Sequence, residues 1–202
     1  MKSKPVRQYR MTARAEAAEQ TGERILDAML RRYAETPYDQ VRLEDVAADA
    51  GVTPQTVFRR FGSKPGLLVA TVEREQAALA RDRAAAMGES PQDTVRSLVR
   101  FYEHHGALIL KLYAEAHQAP GVPELAARGR RYHVGWCREA FADGLEPGLD
   151  EATRARRLAQ VVAVCDATTW RVLRVDGGLS PEQTEEAVLE LLLPLLSASA
   201  RG

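Results

Sequence analysis

Residues 43–61 read LEDVAADAGVTPQTVFRRF, and this stretch decides the fold of the N-terminal part of the chain. Its first half carries small and apolar residues at helical spacing. They are Leu43, Val46, Ala47 and Ala50. Gly51 tolerates the left-handed conformation that closes a helix, and Thr53 followed by Pro54 is typical of the start of the next one. The spacing predicts a helix-turn-helix.

The second helix of this pair has one apolar and one polar side. Val57 and Phe61 are four residues apart and are expected to face inward. The residues left on the outer side are Gln55, Thr56, Arg59 and Arg60. Side chains of these types donate hydrogen bonds to base edges and phosphates in the major groove of DNA. The pattern therefore predicts a helix that contacts DNA.

Outside this stretch, Gly and Pro residues divide the chain into segments with apolar residues at helical spacing, and no segment alternates like a strand. Ser90-Pro91 and Ser180-Pro181 each predict a helix start, and Gln183 completes a capping box with Ser180. We predict an all-α fold of about nine helices. A three-helix helix-turn-helix unit comes first, and a C-terminal helical bundle follows it.

Composition and charge exclude several classes of protein. No stretch approaches the roughly 20 apolar residues of a membrane helix, and the basic first residues lack the apolar core of a secretion signal. Two cysteines do not make a disulfide framework, so we expect a reduced, cytoplasmic protein. The formal charge is zero, but residues 1–70 carry 12 basic and 9 acidic side chains, whereas residues 71–202 carry 16 and 19. A cationic first part suggests a polyanion partner.

The run from Thr21 to Leu68 resembles the DNA-binding domain of the TetR (tetracycline-repressor) family of bacterial transcription regulators. The matching residues are GERILDAMLRRYAETPYDQVRLEDVAADAGVTPQTVFRRFGSKPGLL, about a quarter of the chain. The resemblance implies a DNA-binding domain at 20–66 and a helical effector-binding and dimerisation domain at 67–202. Residues 1–19 form a basic N-terminal arm, which could follow the minor groove or only add salt-sensitive, nonspecific affinity.

The resemblance also implies a set of DNA-binding residues. They are Arg42, Thr53, Gln55, Thr56, Phe58, Arg59, Arg60 and Lys64. Phe58 stands where the family usually has a tyrosine whose hydroxyl meets a phosphate, so we expect that contact to be missing and the charge of Arg60 to replace it. Val41-Arg42 stand where a threonine pair commonly caps the second helix, so that cap is in doubt. Pro65-Gly66 imply a looser first turn of the fourth helix.

Aromatic and histidine side chains concentrate in the C-terminal part of the chain. Together with the resemblance, they predict an effector pocket. Its expected lining is Tyr102, His105, Tyr113, His117, Trp136, Cys137 and Trp170. The alternative is that Trp136, Phe141 and Trp170 are simply core residues.

Catalysis and metal binding are not expected. No HxxxH or CxxC pair is present, so we expect neither a metal nor a cofactor. His133 and Cys137 share a helix face four residues apart, but a structural cysteine fits better than a nucleophile because no oxyanion site or catalytic signature accompanies them. Triad, P-loop and dinucleotide fingerprints are absent.

The last helix predicts the mode of assembly. Its residues 188–196 are apolar nearly all round, which favours a homodimer through the last two helices, Glu151–Val175 and Pro181–Ser199. A central helix of a monomeric bundle is the alternative. We predict a one-component regulator, expected to be a repressor released from a pseudo-palindromic DNA operator by a small apolar or aromatic effector. The alternatives are a regulator without a ligand, or an all-α small-molecule-binding protein or enzyme.

Overall fold

The computed structural model describes residues 5–85, 87–145 and 150–197, and these residues form helices and turns without any strand. The helices are α1 (Pro5–Glu35), α2 (Leu43–Asp49), α3 (Pro54–Phe61), α4 (Lys64–Ala85), α5 (Pro91–Glu115), α6 (Val122–Ala140), α7 (Ala142–Leu145), α8 (Glu151–Val164), α9 (Ala167–Arg171) and α10 (Pro181–Ser197). Short 3-10 helices lie at Tyr38–Gln40 and Ala116–Gln118, and π-helix continues α9 over Val172–Asp176. The all-α prediction is confirmed. None of the helices in these ranges has the length and apolar character needed to cross a bilayer.

The chain divides into two compact units. The front unit comprises the chain up to Glu75 together with Glu115–Pro123, and the rear unit comprises Gln76–Ala114 and the chain from Glu124 onward. The division falls within α4. The boundary after residue 66, between the expected DNA-binding and effector-binding domains, stays a prediction.

The front unit is held together by an apolar core from its first four helices. The most buried residues are Ile25, Met29, Tyr33, Val46, Val57, Leu67 and Leu68. At its surface, the guanidinium of Arg32 in α1 donates twice to the carboxylate of Asp49 in α2, at 2.6 and 2.9 Å. This hydrogen bonding lowers the pKa of Asp49 below its ordinary value. The ion pair fixes the end of α2 against α1.

The turn between α2 and α3 follows the sequence prediction. Gly51 has a φ of 67°, in the left-handed region that favours glycine. Thr53 caps α3, because its hydroxyl oxygen accepts a hydrogen bond from the backbone N–H of Thr56 at 3.3 Å. At the start of α2, Arg42 occupies the cap position and provides no side-chain hydrogen bond. The sequence analysis questioned a side-chain cap at this position, and the structure shows none.

Most of the predicted N-terminal arm is helical. Helix α1 begins at Pro5, so residues 5–19 belong to the same helix as the residues that pack in the front unit. Proline fits the first position of a helix, and residues 11–19 contain Ala, Arg, Glu and Met, all strong helix formers. Lys2 and Lys4 lie outside the described residues.

The rear unit has its own core, built from α5, α6, α8, α9 and α10. Trp136, Phe141, Val161 and Leu192 are among its buried members. Serine caps start α5 and α10 as predicted, and Ser180 and Gln183 exchange the two hydrogen bonds of a capping box, at 2.9 and 3.2 Å.

The predicted continuous helix over Glu151–Val175 is wrong. Helix α8 ends at Val164, and α9 starts after Asp166, whose carboxylate accepts a hydrogen bond from the N–H of Thr168 at 2.8 Å. An aspartate cap in mid-segment starts a new helix, and apolar spacing alone did not reveal it.

Candidate nucleic-acid interface and effector site

Helix α3 carries its polar residues on the side away from the core of the front unit. Val57 is fully buried, whereas Gln55 and Arg59 are exposed and Phe58 is 57 % exposed. The outer side of α3 therefore exposes hydrogen-bond donors and one apolar ring to solvent.

Thr53 and Thr56 stabilise the N-terminal turn of this helix. Besides the cap, their hydroxyl oxygens lie 3.0 Å apart and share a hydrogen bond. The cap aligns the first turn of α3, which is the part of a recognition helix that reaches base edges.

The two adjacent arginines of α3 have different surroundings. The guanidinium of Arg60 donates to the carbonyl of Ala18 in α1 at 2.8 Å and lies against Gly22, where a Cβ would collide with it. Arg59 is exposed and makes no hydrogen bond or ion pair with the described part of the chain. Arg59 is therefore available to a ligand, whereas Arg60 is engaged within the front unit.

Lys64 and Arg42 lie at the N-termini of α4 and α2. The ammonium of Lys64 donates to the carbonyl of Asp39 at 3.1 Å and lies 4.4 Å from the ring centre of Tyr38. Partial burial lowers the pKa of Lys64, and the charge of Asp39 opposes this. Arg42 is largely exposed and forms a weak ion pair with Glu44 at 3.7 Å. Both cations stay at the surface of the front unit.

In the rear unit, four of the seven predicted effector residues are brought together in the buried core. They are Tyr102, Trp136, Cys137 and Trp170. The indole N–H of Trp170 donates to the carboxylate of Glu103 at 2.8 Å, and its ring covers Gly106 so closely that a Cβ there would collide. These contacts show that Trp170 packs against α5.

The other three predicted residues lie differently. His105 is half-buried, stacks on Phe101 at 4.9 Å and lies 4.0 Å from Asp82. Tyr113 is half-buried with the guanidinium of Arg130 over its ring at 5.2 Å. His117 is exposed in the 3-10 helix Ala116–Gln118, which belongs to the front unit. The structure does not bring His117 into the core cluster of the rear unit.

Sequence reasoning missed the most unusual residue of this cluster, Arg83. Its side chain is buried, and its guanidinium lies 4.4 Å from the ring centre of Trp136, 5.1 Å from Phe101 and 5.3 Å from Tyr102. The indole N–H of Trp136 donates to the backbone carbonyl of Arg83 at 2.9 Å. A signal was present, since Leu79 and Arg83 are four residues apart on α4, which places Arg83 in line with an apolar residue.

His133 and the two cysteines lie next to Arg83. Nε2 of His133 lies 3.1 Å from the carbonyl of Val162, which requires a proton on Nε2 and leaves Nδ1 as an acceptor, 2.9 Å from the guanidinium of Arg83. A hydrogen bond from Cys165, together with His133 and the charge of Arg83, lowers the pKa of Cys137, while the pKa of Cys165 is raised.

The described ranges contain no group of three or more His, Cys, Asp or Glu side chains that could hold a metal ion. Cys137 is fully buried, and its sulfur lies 3.7 Å from both ring nitrogens of His133, so neither nitrogen is aligned on it as a base. The pair fits a structural role better than a nucleophile and base.

A helix-turn-helix with an exposed cationic second helix, followed by an all-α unit, defines a DNA-binding protein of the helix-turn-helix class. Residues 25–71 match the family model described as bacterial regulatory proteins, tetR family. The HTH-type transcriptional repressor KstR of Mycolicibacterium smegmatis is 30% identical over 154 residues, which span 73% of this chain and 75% of that protein. The chain belongs to the tetR family of bacterial regulatory proteins.

Two further comparisons agree with this assignment. The HTH-type transcriptional regulator BetI of Rhizobium meliloti is 32% identical over 110 residues, and the match spans 50% of this chain and about half of that protein, 54%. The crystal structure of the transcriptional regulator FadR from Bacillus subtilis in complex with stearoyl-CoA superposes with a TM-score of 0.65 at 16% identity, covering 87% of this chain and 97% of that one. At this identity, the likeness to FadR shows the fold alone.

Proposed function

We propose that the protein is a homodimeric transcriptional repressor that leaves its operator when a small effector binds the rear unit. The observation that carries the proposal is the exposed outer side of α3, where Gln55, Phe58 and Arg59 face solvent while Val57 anchors the helix in the core. Membership of a family of regulatory proteins supports it, as does the similarity to KstR, which is a transcriptional repressor. We place its action in the cytoplasm, where bacterial DNA lies, and assign it a binding rather than a catalytic role.

The DNA contacts follow from exposure and chemistry. Gln55 and Arg59 have free donors and are assigned to base edges, where glutamine suits adenine and arginine suits guanine. Thr53, Thr56, Arg42 and Lys64 are assigned to the phosphates on either side.

Two departures from the family's usual contacts follow from α3 itself. Phe58 replaces a phosphate contact by an apolar one. Nη1 of Arg60 is held by the carbonyl of Ala18, so a phosphate contact would use the remaining donors of the guanidinium or replace this bond.

The dimer is proposed to form through the last helices of the rear unit. Three large apolar side chains are about half exposed there: Val172 (53 %), Val175 (58 %) and Leu191 (50 %). Apolar groups of this size on neighbouring elements are typical of a surface that a partner covers. In a two-fold dimer, the two α3 helices would meet successive major grooves about 34–36 Å apart.

The effector is proposed to bind among the aromatic residues of the rear unit. FadR of Bacillus subtilis was crystallised with stearoyl-CoA, so a protein of this fold can hold a ligand with an apolar chain. Helix α4 belongs to both units and would transmit the change. The effector can alter DNA affinity only by as much as it prefers one conformer of the dimer over the other.

A mobility-shift titration with the DNA upstream of the protein's own coding region tests the proposal. We expect binding on the order of 10³-fold or more tighter than to unrelated DNA of equal length at physiological salt. The matched control is Gln55→Ala, which leaves the core of the front unit untouched and should reduce this preference. Equal affinity for both DNAs would refute operator recognition. A thermal-shift screen of apolar and aromatic compounds then separates a ligand-responsive repressor from a regulator without a ligand.

A further inference from the structure

Arg83 is a charged side chain enclosed in the rear unit. It is only 5 % exposed, although arginine is among the residues least often buried. Its guanidinium faces the rings of Phe101, Tyr102 and Trp136, at the distances given above. An arginine keeps its charge at physiological pH, so this part of the core holds a permanent cation.

The hydrogen-bond donors of this cation are only partly satisfied. Nη1 donates to the hydroxyl of Tyr102 at 3.3 Å, and Nη2 lies 2.9 Å from Nδ1 of His133. The buried Nε has no hydrogen-bond partner. Both partners found are neutral, and the described residues supply no carboxylate ion pair for Arg83. A buried charge without an ion-pair partner is unfavourable, and the acidic group beside this one is the Cys137 thiol, whose pKa the charge of Arg83 helps to lower.

Arg74, on the same helix, shows the contrast. It is less buried, and its guanidinium lies 3.0 Å from Glu23, 2.8 Å from Asp27 and 2.9 Å from Glu75. The chain therefore neutralises one partly buried arginine with three carboxylates. It leaves the more deeply buried Arg83 with none.

The carboxylate of Asp166 lies beside His133 and is already engaged in a helix cap. Asp166 caps α9 and lies 3.9 Å from Nε2 of His133, on the ring nitrogen that faces away from Arg83. The hydrogen-bonding position that stays unfilled in this cluster is therefore the donor Nε of Arg83.

We propose that Arg83 is the anchor for an effector that has a carboxylate group and an apolar body. Nε and Nη2, which present parallel N–H bonds on one edge of the guanidinium, would bind the carboxylate side-on, and Phe101, Tyr102 and Trp136 would contact the apolar part. Nη1 lies on the other edge and keeps its bond to the hydroxyl of Tyr102, which in turn donates to the carbonyl of Cys165 at 2.8 Å. Nη2 carries a second N–H for Nδ1 of His133. The inference rests on the proposed function and names the chemistry of its effector.

The experiment compares matched probes that differ only in the head group: 4-phenylbutanoate, 4-phenylbutanamide and 4-phenylbutylamine, and decanoate, decanamide and decylamine. Dissociation constants are measured by quenching of tryptophan fluorescence and checked by thermal shift. We expect at least one acid to bind the full-length protein about tenfold or more tighter than its amide and amine, since a charge-assisted pair replaces a neutral one.

Variants assign the effect to Arg83. Arg83→Gln should weaken binding of that acid about tenfold or more and leave its amide unchanged. Arg81→Gln is the matched control, because it removes the same charge from an exposed position two residues away, and it should change nothing. If Arg83→Gln does not fold by circular dichroism, Arg83→Met keeps an apolar stem against the rings and replaces it.

The inference is overturned if no acid binds better than its amide, if an amine binds best, or if the Arg83 variant binds acids as the wild type does. Release of upstream DNA by the acid is measured in parallel, and acid binding without release overturns the effector role. Operator binding by unliganded wild type and Arg83→Gln tests the proposed function separately. If both bind the operator and neither responds to acids, only the inference about Arg83 fails. If neither shows sequence preference, the proposed function fails.

Discussion

Two neighbouring substitutions, Arg59→Ala and Arg60→Ala, test which arginine of α3 contacts DNA and which one stabilises the front unit. Both remove an exposed arginine from the same helix, so their effects on charge and helix propensity match. They differ in what the guanidinium touches. Arg59 has no partner among the described residues, whereas Arg60 donates to the carbonyl of Ala18 at 2.8 Å. The pair therefore separates recognition of DNA from stability of the front unit.

The expected magnitudes follow from these contacts. Arg59→Ala removes no intramolecular bond, so the free energy of unfolding should stay within about 0.5 kcal/mol of the wild type. If Arg59 reads a guanine, the affinity loss at that base pair should be about 1–3 kcal/mol, or roughly 5- to 150-fold. Arg60→Ala should lower the free energy of unfolding by about 0.5–1 kcal/mol, the low end for a hydrogen bond because the site is exposed. It should not change base preference.

The assay combines urea unfolding with fluorescence anisotropy on a set of operators, each changed at one base pair. A uniform loss for Arg59→Ala on every operator would make Arg59 a phosphate contact and refute its assignment to a base. A loss of stability above about 1 kcal/mol would show that Arg59 is structural. Unchanged stability in Arg60→Ala would show that the bond to Ala18 contributes nothing.

Three further predictions concern other parts of the molecule. Lys64→Ala should weaken binding to all operators alike and reduce the salt slope by about one unit, and an unchanged slope in a salt titration would exclude a phosphate contact. Gly106→Ala should lower the melting temperature, because the new methyl group would overlap the ring of Trp170. Gly135→Ala has open space around its Cβ and should leave the melting temperature equal or higher. The reverse order in thermal denaturation would contradict the packing. The hydrogen bonds from Arg32 lower the pKa of Asp49, so the ion pair stabilises the front unit fully above the unfolded-state pKa, roughly 3.9, and this stabilisation is lost as the pH falls through the lower folded-state pKa. Asp49→Asn should therefore be less stable than wild type at pH 7, and acid-unfolding curves should show the difference shrinking as the pH falls below the unfolded-state pKa; a difference that stays constant would contradict the ion pair.

The helix-turn-helix was predictable because its determinants are local. Gly51, Thr53 and Pro54 act within one turn of the chain, and each adopts the expected conformation or bond in the structure. The chemistry of the outer side of α3 follows directly from the order of its residues. The family resemblance rests on the same local run and is confirmed.

The rear unit was less predictable because its contacts join distant parts of the sequence. His117 was grouped with the aromatic residues by proximity in sequence, yet it lies exposed in the front unit. Arg83 and Arg81 look alike in the sequence, and only the packing of α5 and α6 around α4 shows that Arg83 is buried. The break between α8 and α9 depends on Asp166, a single cap within an apolar pattern.

Hydroxyl-radical footprinting of the protein on its upstream DNA, with the stoichiometry of the complex measured by analytical ultracentrifugation, tests the central claim most directly. Two chains carrying α3 on a two-fold axis should protect two segments on one face of the duplex, one helical turn apart, and the protection should disappear at both with Arg59→Ala at a limiting concentration. A single protected segment bound by one chain, or protection unaffected by Arg59→Ala, would contradict it.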